Sequence, residues 1–329
     1  MFEIAVLGAG RIGQVHARNI AAHPALRLRY IFNPQSAPAQ DLARRTGAVM
    51  AQDFEQVLND PAIAGIVIAS STDAHLEQCV RAVAAGKAVL CEKPIDMDLE
   101  RARAQRERLG GKHVRLLLGF NRRFDPSFAT LKRRLDAGEI GSLETMHIIS
   151  HDPAPPSLAY VRVSGGLFKD MAIHDFDTAR WLLGEEPVEV FASTSCLVDP
   201  AIGAAGDVDT AKTLLRTASG RLCMISNSRR SGYGYDQRIE VFGARGQLRA
   251  DNVLETSVLA WREAGMASGP LQNFFLERYA EAYRRELDHF VQMLGGAAEP
   301  LVGYHDGVAA LALAEAAHAS ARSGKVVPL

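Results

Sequence analysis

The chain's first strand runs directly into a glycine pattern that few folds accommodate. Glu3–Leu7 reads as a short apolar strand, Gly8-Ala9-Gly10-Arg11-Ile12-Gly13 follows it, and Arg11–Ala22 reads as a helix. G-x-G-x-x-G between a strand and a helix is a dinucleotide-binding fingerprint. Gly8 permits the tight turn, Gly10 lets the backbone approach a pyrophosphate, and Gly13 lets the helix pack closely on the strand. The helix start at Arg11 and Ile12 offers N–H groups and a positive dipole end to phosphate. An acidic residue for the adenosine ribose is expected about 20 residues further on. That position holds Asn33, an amide without the charge that repels a 2′-phosphate. No Arg follows it to capture such a phosphate, and Arg11 equally reads as a solvated first-turn side chain. NAD is therefore the expected cofactor, with NADP left open.

The rest of the N-terminal third continues the same alternation. Leu26–Phe32, Gly65–Ala69, Ala88–Cys91 and Arg115–Gly119 read as strands, with helices near Ala39–Thr46, Ala74–Ala85 and Leu99–Leu109. Strands alternating with helices imply a parallel sheet with right-handed crossovers. After about Phe120 the pattern changes. Glu144–Ser150, Val188–Val198, Thr210–Thr217, Arg221–Ser226, Arg238–Phe242 and Gln247–Ala250 are longer and alternate, as half-covered antiparallel strands do. Helices are expected over Asp125–Ala137, Leu167–Leu183, Phe274–Leu294 and Asp306–Ser323. About 150 residues per domain makes two domains the prior for 329 residues. The boundary falls near Gly119–Asn121, giving domains over 1–120 and 121–329, an α/β fold in both.

Composition narrows the function class. Lys and Arg number 37 against 38 Asp and Glu, so the basic excess of a nucleic-acid-binding or membrane-surface protein is missing. Hydrophobic residues at 47% and charged residues at 23% rule out global disorder. Cys79, Cys91, Cys196 and Cys223 show no metal-ligand spacing and read as small buried hydrophobes. No cleavable leader or apolar run of membrane-spanning length is visible, so a cytoplasmic protein is expected.

Three further segments carry candidate chemistry. Ser71, Thr72 and His75 follow the buried run Gly65–Ala69, at a strand end where ligands sit in open α/β sheets. They are expected cofactor contacts, although His75 reads equally as a surface residue at a helix start. Glu92-Lys93-Pro94 ends the next strand, where Lys93 can orient a hydroxyl and favour its ionisation, and Pro94 makes a cis bond accessible. In Gly165–Asp177, helical spacing places Asp170, His174 and Asp177 on one face. A carboxylate one turn from an imidazole orients it and stabilises its protonated form, which prepares a general base. By itself this face reads more readily as a solvated stripe. No His, Cys and carboxylate set at zinc spacing is found, so no metal is expected.

The segments GAGRIGQVHA, CEKPID, GFNRRFDPSF, SGGLFKDMAIHDFDTARWLLGEEP, NSRRSGYGYDQRIEVFG and FFLERYAEAY resemble the Gfo/Idh/MocA family of sugar and polyol oxidoreductases. The resemblance runs from residue 8 to beyond residue 280 and is strongest to the inositol-oxidising branch. It implies a Rossmann domain followed by an α/β domain with a large open, mostly antiparallel sheet that serves substrate binding and oligomerisation, commonly as a tetramer. It places the catalytic lysine at Lys93 and the D-x-x-x-H pair at Asp170 and His174. Glu92 and Lys93 also fall beside the cofactor, and Arg123, Asp152, Asp177 and Tyr235 become expected contacts to polyol hydroxyls. The implied reaction is NAD-dependent oxidation of myo-inositol to a keto-inositol. Another inositol isomer, a cyclic sugar such as glucose, and a non-catalytic dinucleotide-binding regulator are the competing readings. The departure is Asn33, where many members of the branch carry Asp.

Overall fold

Each apolar run of the N-terminal third becomes a parallel strand, and the stretches between them become covering helices. In the computed structural model, which describes residues 1–329, the chain divides into two compact units: Met1–Asn121 with Ala282–Ala309, and Arg122–Glu281 with Ala310–Leu329. The first unit holds strands β1 (Phe2–Leu7), β2 (Leu26–Phe32), β3 (Val49–Met50), β4 (Ile63–Ile68), β5 (Ala88–Cys91) and β6 (Leu116–Leu118). All pair in parallel, in the order β3-β2-β1-β4-β5-β6. The order reverses between β1 and β4, and ligands of such sheets bind outside the carboxyl ends at that point. Ala88–Cys91 is buried throughout, as a strand covered on both faces must be.

The helices are α1 (Arg11–Ala22), α2 (Ser36–Thr46), α3 (Phe54–Asn59), α4 (Thr72–Ala84), α5 (Leu99–Ala104) and α6 (Arg106–Leu109). Helix α1 buries Gly13, His16, Ala17 and Ile20, a stripe at helical spacing. The single helix expected over Leu99–Leu109 is interrupted at Gln105, whose ψ of 8° leaves the helical range. The short β3 and α3 carry too little periodicity to be read from sequence.

The second unit begins with a 3₁₀ turn (Asn121–Phe124) shared across the boundary and helix α7 (Pro126–Asp136). Asp125 caps α7 by accepting from the backbone N–H of Ser127 and Phe128. Strand β7 (Leu143–His151), the short α8 (Leu158–Val161), a π-helical turn (Phe168–Ala172) and α9 (Ile173–Leu183) follow. Then come β8 (Pro187–Ser195), α10 (Pro200–Ala204), β9 (Thr210–Thr217), β10 (Leu222–Ser228), β11 (Asp236–Gly243) and β12 (Gly246–Ala250). A small hairpin, β13 (Leu259–Arg262) with β14 (Gly265–Ser268), stands apart, ahead of α11 (Phe275–Arg278), α12 (Ala280–Leu294), α13 (Tyr304–Ser323) and β15 (Val327–Pro328).

The large sheet runs β12-β11-β7-β10-β9-β8-β15 and is antiparallel except for the parallel pair β7 and β10. Strict alternation decides its faces. Val190, Leu215, Cys223, Ile225 and Val241 are fully buried, whereas Phe191, Leu214 and Met224 on the adjacent β8, β9 and β10, and Phe242 on β11, remain exposed.

The split into 1–120 and 121–329 requires one correction, because Ala282–Ala309 returns to the first unit. Helix α12 buries Tyr283, Leu287, Phe290 and Leu294 as a stripe. Phe290 and Leu294 lie so close to Gly65 of β4 that a Cβ there would stand 2.9 Å and 3.1 Å from them. The Leu118 N–H donates to Val302 O at 3.0 Å. This is long-range packing, and no local pattern announces it.

Candidate active site

The glycine turn is built as its spacing demands. Gly8 has φ +102°, and a Cβ on it would stand 2.2 Å from Ala69 O. A Cβ on Gly13 would stand 2.1 Å from Gly8 O. A Cβ on Gly10, in contrast, would meet nothing within 4 Å. Gly10 occupies the N-cap position of α1, and no side chain caps that helix. An open cradle over an uncapped helix start is suited to a pyrophosphate. Arg11 is exposed, and Ile12 is partly buried.

Asn33 closes the turn from the end of β2. Its Oδ1 accepts from the Ala9 N–H at 3.2 Å, and its Nδ2 donates to Gln35 O at 2.8 Å. An amide oxygen has two lone pairs, so Oδ1 keeps one for a ribose hydroxyl.

Ser71 is exposed at the N-cap position of α4, and Thr72 begins the helix. His75 is buried, not a surface residue. Its Nδ1 lies 2.8 Å from Pro94 O and its Nε2 3.1 Å from Ser70 O. Burial pushes the pKa of this imidazole down, against the pull of the two carbonyls. A neutral ring has a single N–H, and the shorter contact, Nδ1 to Pro94 O, ties α4 to the segment after β5. Lys93 is partly buried and joined to Pro94 by a cis peptide bond. Glu92 is buried, with Oε1 2.8 Å from His16 Nε2.

In the second unit, Asp170 and His174 fall on the π-helical turn and the first turn of α9. The Tyr160 hydroxyl donates to Asp170 Oδ1 at 2.9 Å, and Arg229 Nη1 to Asp170 Oδ2 at 3.3 Å. Arg229 is fully buried and lies 3.5 Å from Asp207 Oδ2. Asp207 Oδ1 accepts from the Leu167 N–H at 3.0 Å and so fixes the start of this helical segment. Asp152 is partly buried at the end of β7, and burial, opposed by Arg229 and assisted by Asp170, pushes its carboxyl up to about 7. Tyr235 is buried edge-on against Tyr279, with ring centroids 6.1 Å apart, and burial pushes its hydroxyl up.

Asp177, expected on the stripe with Asp170 and His174, is not solvated. It is fully buried and accepts from Arg123 Nε at 2.9 Å and Nη2 at 2.6 Å. The structure thus directs Arg123 and Asp177, expected as polyol contacts, toward each other.

The family described as “Oxidoreductase family, NAD-binding Rossmann fold” matches residues 2–120, and the “GFO/IDH/MocA C-terminal domain” matches residues 128–249. An inositol 2-dehydrogenase of Rhizobium meliloti is 45% identical over 313 residues, which are 95% of this chain and 94% of that one. The chain belongs to the Gfo/Idh/MocA family of oxidoreductases. A myo-inositol dehydrogenase from Corynebacterium glutamicum has the same fold at 45% identity, with a TM-score of 0.95 over 100% of this chain and 99% of that one. A scyllo-inositol dehydrogenase from Lactobacillus casei, solved with bound NAD(H) and scyllo-inositol, gives a TM-score of 0.92 at 29% identity over 100% and 99% of the two chains.

This Gfo/Idh/MocA oxidoreductase takes NAD in its Rossmann unit, and the open space at Gly10 fits that cofactor. A variant isolates the contribution. Gly10→Ala meets no neighbour, so the free protein should keep its melting temperature while its affinity for NADH falls on the order of tenfold, because the methyl occupies the cradle. Thermal unfolding and NADH fluorescence titration check the two halves, and an unchanged affinity would remove Gly10 from the phosphate site.

Sequence reasoning does not reach Arg229, Asp207 and Tyr160. Arg229 lies in the NSRRSGYGYDQR segment, and an Arg there reads as surface until its burial is known. Asp175 likewise carries no local signal, yet it is fully buried against Arg122 and accepts from Asn227 Nδ2 at 2.7 Å.

Proposed function

We propose that the protein oxidises myo-inositol at one ring hydroxyl to the keto-inositol. The observation that carries this reading is the held carboxylate, Asp170 bonded by Tyr160 and Arg229 one turn before His174, in a chain similar over nearly its whole length to inositol dehydrogenases. NAD, when bound, would supply the acceptor for the hydride that leaves the carbinol carbon. His174 takes the hydroxyl proton, so C–H and O–H are both broken and a C=O forms. Asp170 stabilises the resulting imidazolium. Lys93 orients the hydroxyl and favours its ionisation. Asp152 and Tyr235 bind further hydroxyls, and Asp152, titrating near neutrality, donates in its acid form and accepts in its ionised form. Arg123 and Asp177 hold the wall behind them. Gly8, Gly10, Gly13, Asn33, Ser71 and Thr72 serve the cofactor, Arg11 and Ile12 through the helix start, and His75 serves it by tying α4 to the segment after β5.

The exposed apolar row on the large sheet supports a homo-oligomer, with the tetramer as our reading, and a cytoplasmic location is part of the same proposal. No helix is long and apolar enough to cross a membrane.

The test is nicotinamide reduction followed at 340 nm with myo-inositol, comparing NAD⁺ with NADP⁺. A rate mainly with NAD⁺ is expected. No rate from folded protein that binds NADH would sink myo-inositol. scyllo-Inositol is the second substrate to try, because it is the polyol bound in the Lactobacillus casei relative.

A further inference from the structure

Helix α12 carries a carboxyl where its pattern calls for an apolar side chain. Tyr283, Leu287, Phe290 and Leu294 make its buried stripe, and Glu286 sits within that stripe with no exposed surface. Neither of its carboxyl oxygens has a hydrogen-bond partner. The charge acting on it is Glu92, the first residue of the Glu92-Lys93-Pro94 segment. Glu92 is itself buried and bonded to His16 from α1, whose ring lies edge-on to Tyr283 at 5.7 Å. The Glu92 carboxylate is packed so tightly over Gly119 that a Cβ there would stand 3.0 Å from its Oε2. His16, Glu92 and Glu286 are thus buried together, with Glu92 next to Lys93 in the chain.

A leucine at position 286 would complete the stripe, so the acid is retained against its packing interest. Two buried carboxylates beside each other cannot both stay ionised without a cation between them, and neither oxygen of Glu286 meets a donor. We propose that Glu286 is a positioning residue for the Glu92-Lys93-Pro94 segment: it holds a proton, so that Glu92 remains the single ionised carboxylate of the two and keeps its bond to His16. The proposal rests on Lys93 belonging to the oxidoreductase site.

Burial, with Glu92 adding to it, pushes the Glu286 carboxyl well above the usual carboxylate range. A protonated carboxyl also gains a donor, where an ionised one only accepts. The charged group acting on it is Glu92 from the end of β5, itself bonded to His16 of α1.

Two variants test it against the wild type. Infrared spectra of the wild type at pH 7.5 should show the C=O stretch of a buried carboxylic acid, and Glu286→Gln should remove that band. Unfolding frees the carboxyl to ionise near its ordinary pKa of about 4.3. The folded form binds the extra proton above that pH, so wild-type stability falls as pH rises from there. Glu286→Gln lacks this proton, and its melting temperature should gain on the wild type steadily from pH 5 to pH 8. Absence of the band, or a temperature gap that does not change with pH, overturns the proposal. For the positioning role, Glu286→Gln should keep kcat within about twofold and restore what Glu286→Leu loses, roughly tenfold in kcat or in NADH affinity. A leucine variant equal to the wild type in both would also overturn it. The infrared, stability and NADH readouts need no polyol, so an inactive wild type would refute the substrate reading and leave this one to its own evidence.

Discussion

Replacing His174 with alanine should lower turnover by about 10²–10⁴ and leave NADH binding and the melting temperature near wild type. The size follows from what is removed, the acceptor of the hydroxyl proton in the step that makes the ketone. The side chain is partly buried in the first turn of α9, so its loss empties little core. The residue before it in the mechanism responds differently. Asp170→Asn keeps a hydrogen-bond acceptor for Tyr160 but no longer stabilises an imidazolium, so the acid limb of the pH–rate profile should move to lower pH. Steady-state rates across pH, with NADH titration as the control, separate the two. Turnover in His174→Ala within a few-fold of wild type would exclude His174 as the base.

Local chemistry makes half of this site legible. Gly8, Gly10 and Gly13 can be assigned from spacing alone, because a tight turn, a close approach and a close packing each demand glycine at a stated offset. Lys93 and the Asp170–His174 pair follow from a strand end and a family-specific segment. What stays hidden depends on partners distant in sequence. Arg229 meets Asp170 across 59 positions, and Arg123 meets Asp177 across 54. Asp177 shows the limit of the local rule: helical spacing gives it a face, but its burial against Arg123 depends on a partner far along the chain. Glu286 is the reverse case. Its stripe is plain in the sequence, yet an acid inside a stripe reads as an edge residue until its burial is measured.

The largest stability effect should come from the buried pair beneath the substrate-side residues. Asp175 has no exposed surface, Arg122 is nearly as buried, and the two are bonded to each other. Arg122 Nη2 also donates to Ser150 Oγ at 3.2 Å. Removing one partner strands the other's charge, a loss of about 3–5 kcal/mol. For a unit of this size that lowers the melting temperature by roughly 6–20 °C. Asp175→Ala should show this loss at every pH, because a guanidinium cannot shed its charge. Arg122→Met should not. Burial already pushes the Asp175 carboxyl up, against the pull of Arg122, and without Arg122 it rises further. The unfolded carboxyl titrates near about 3.9, so the folded state of Arg122→Met holds an extra proton above that pH and loses stability as pH rises. Its deficit against wild type should be small at pH 5 and large at pH 8. The double variant Arg122→Met with Asp175→Leu removes both charges and should recover most of the loss. A double variant as unstable as the two single losses added together would mean that the pair is not coupled, and that each side chain is held by its other neighbours.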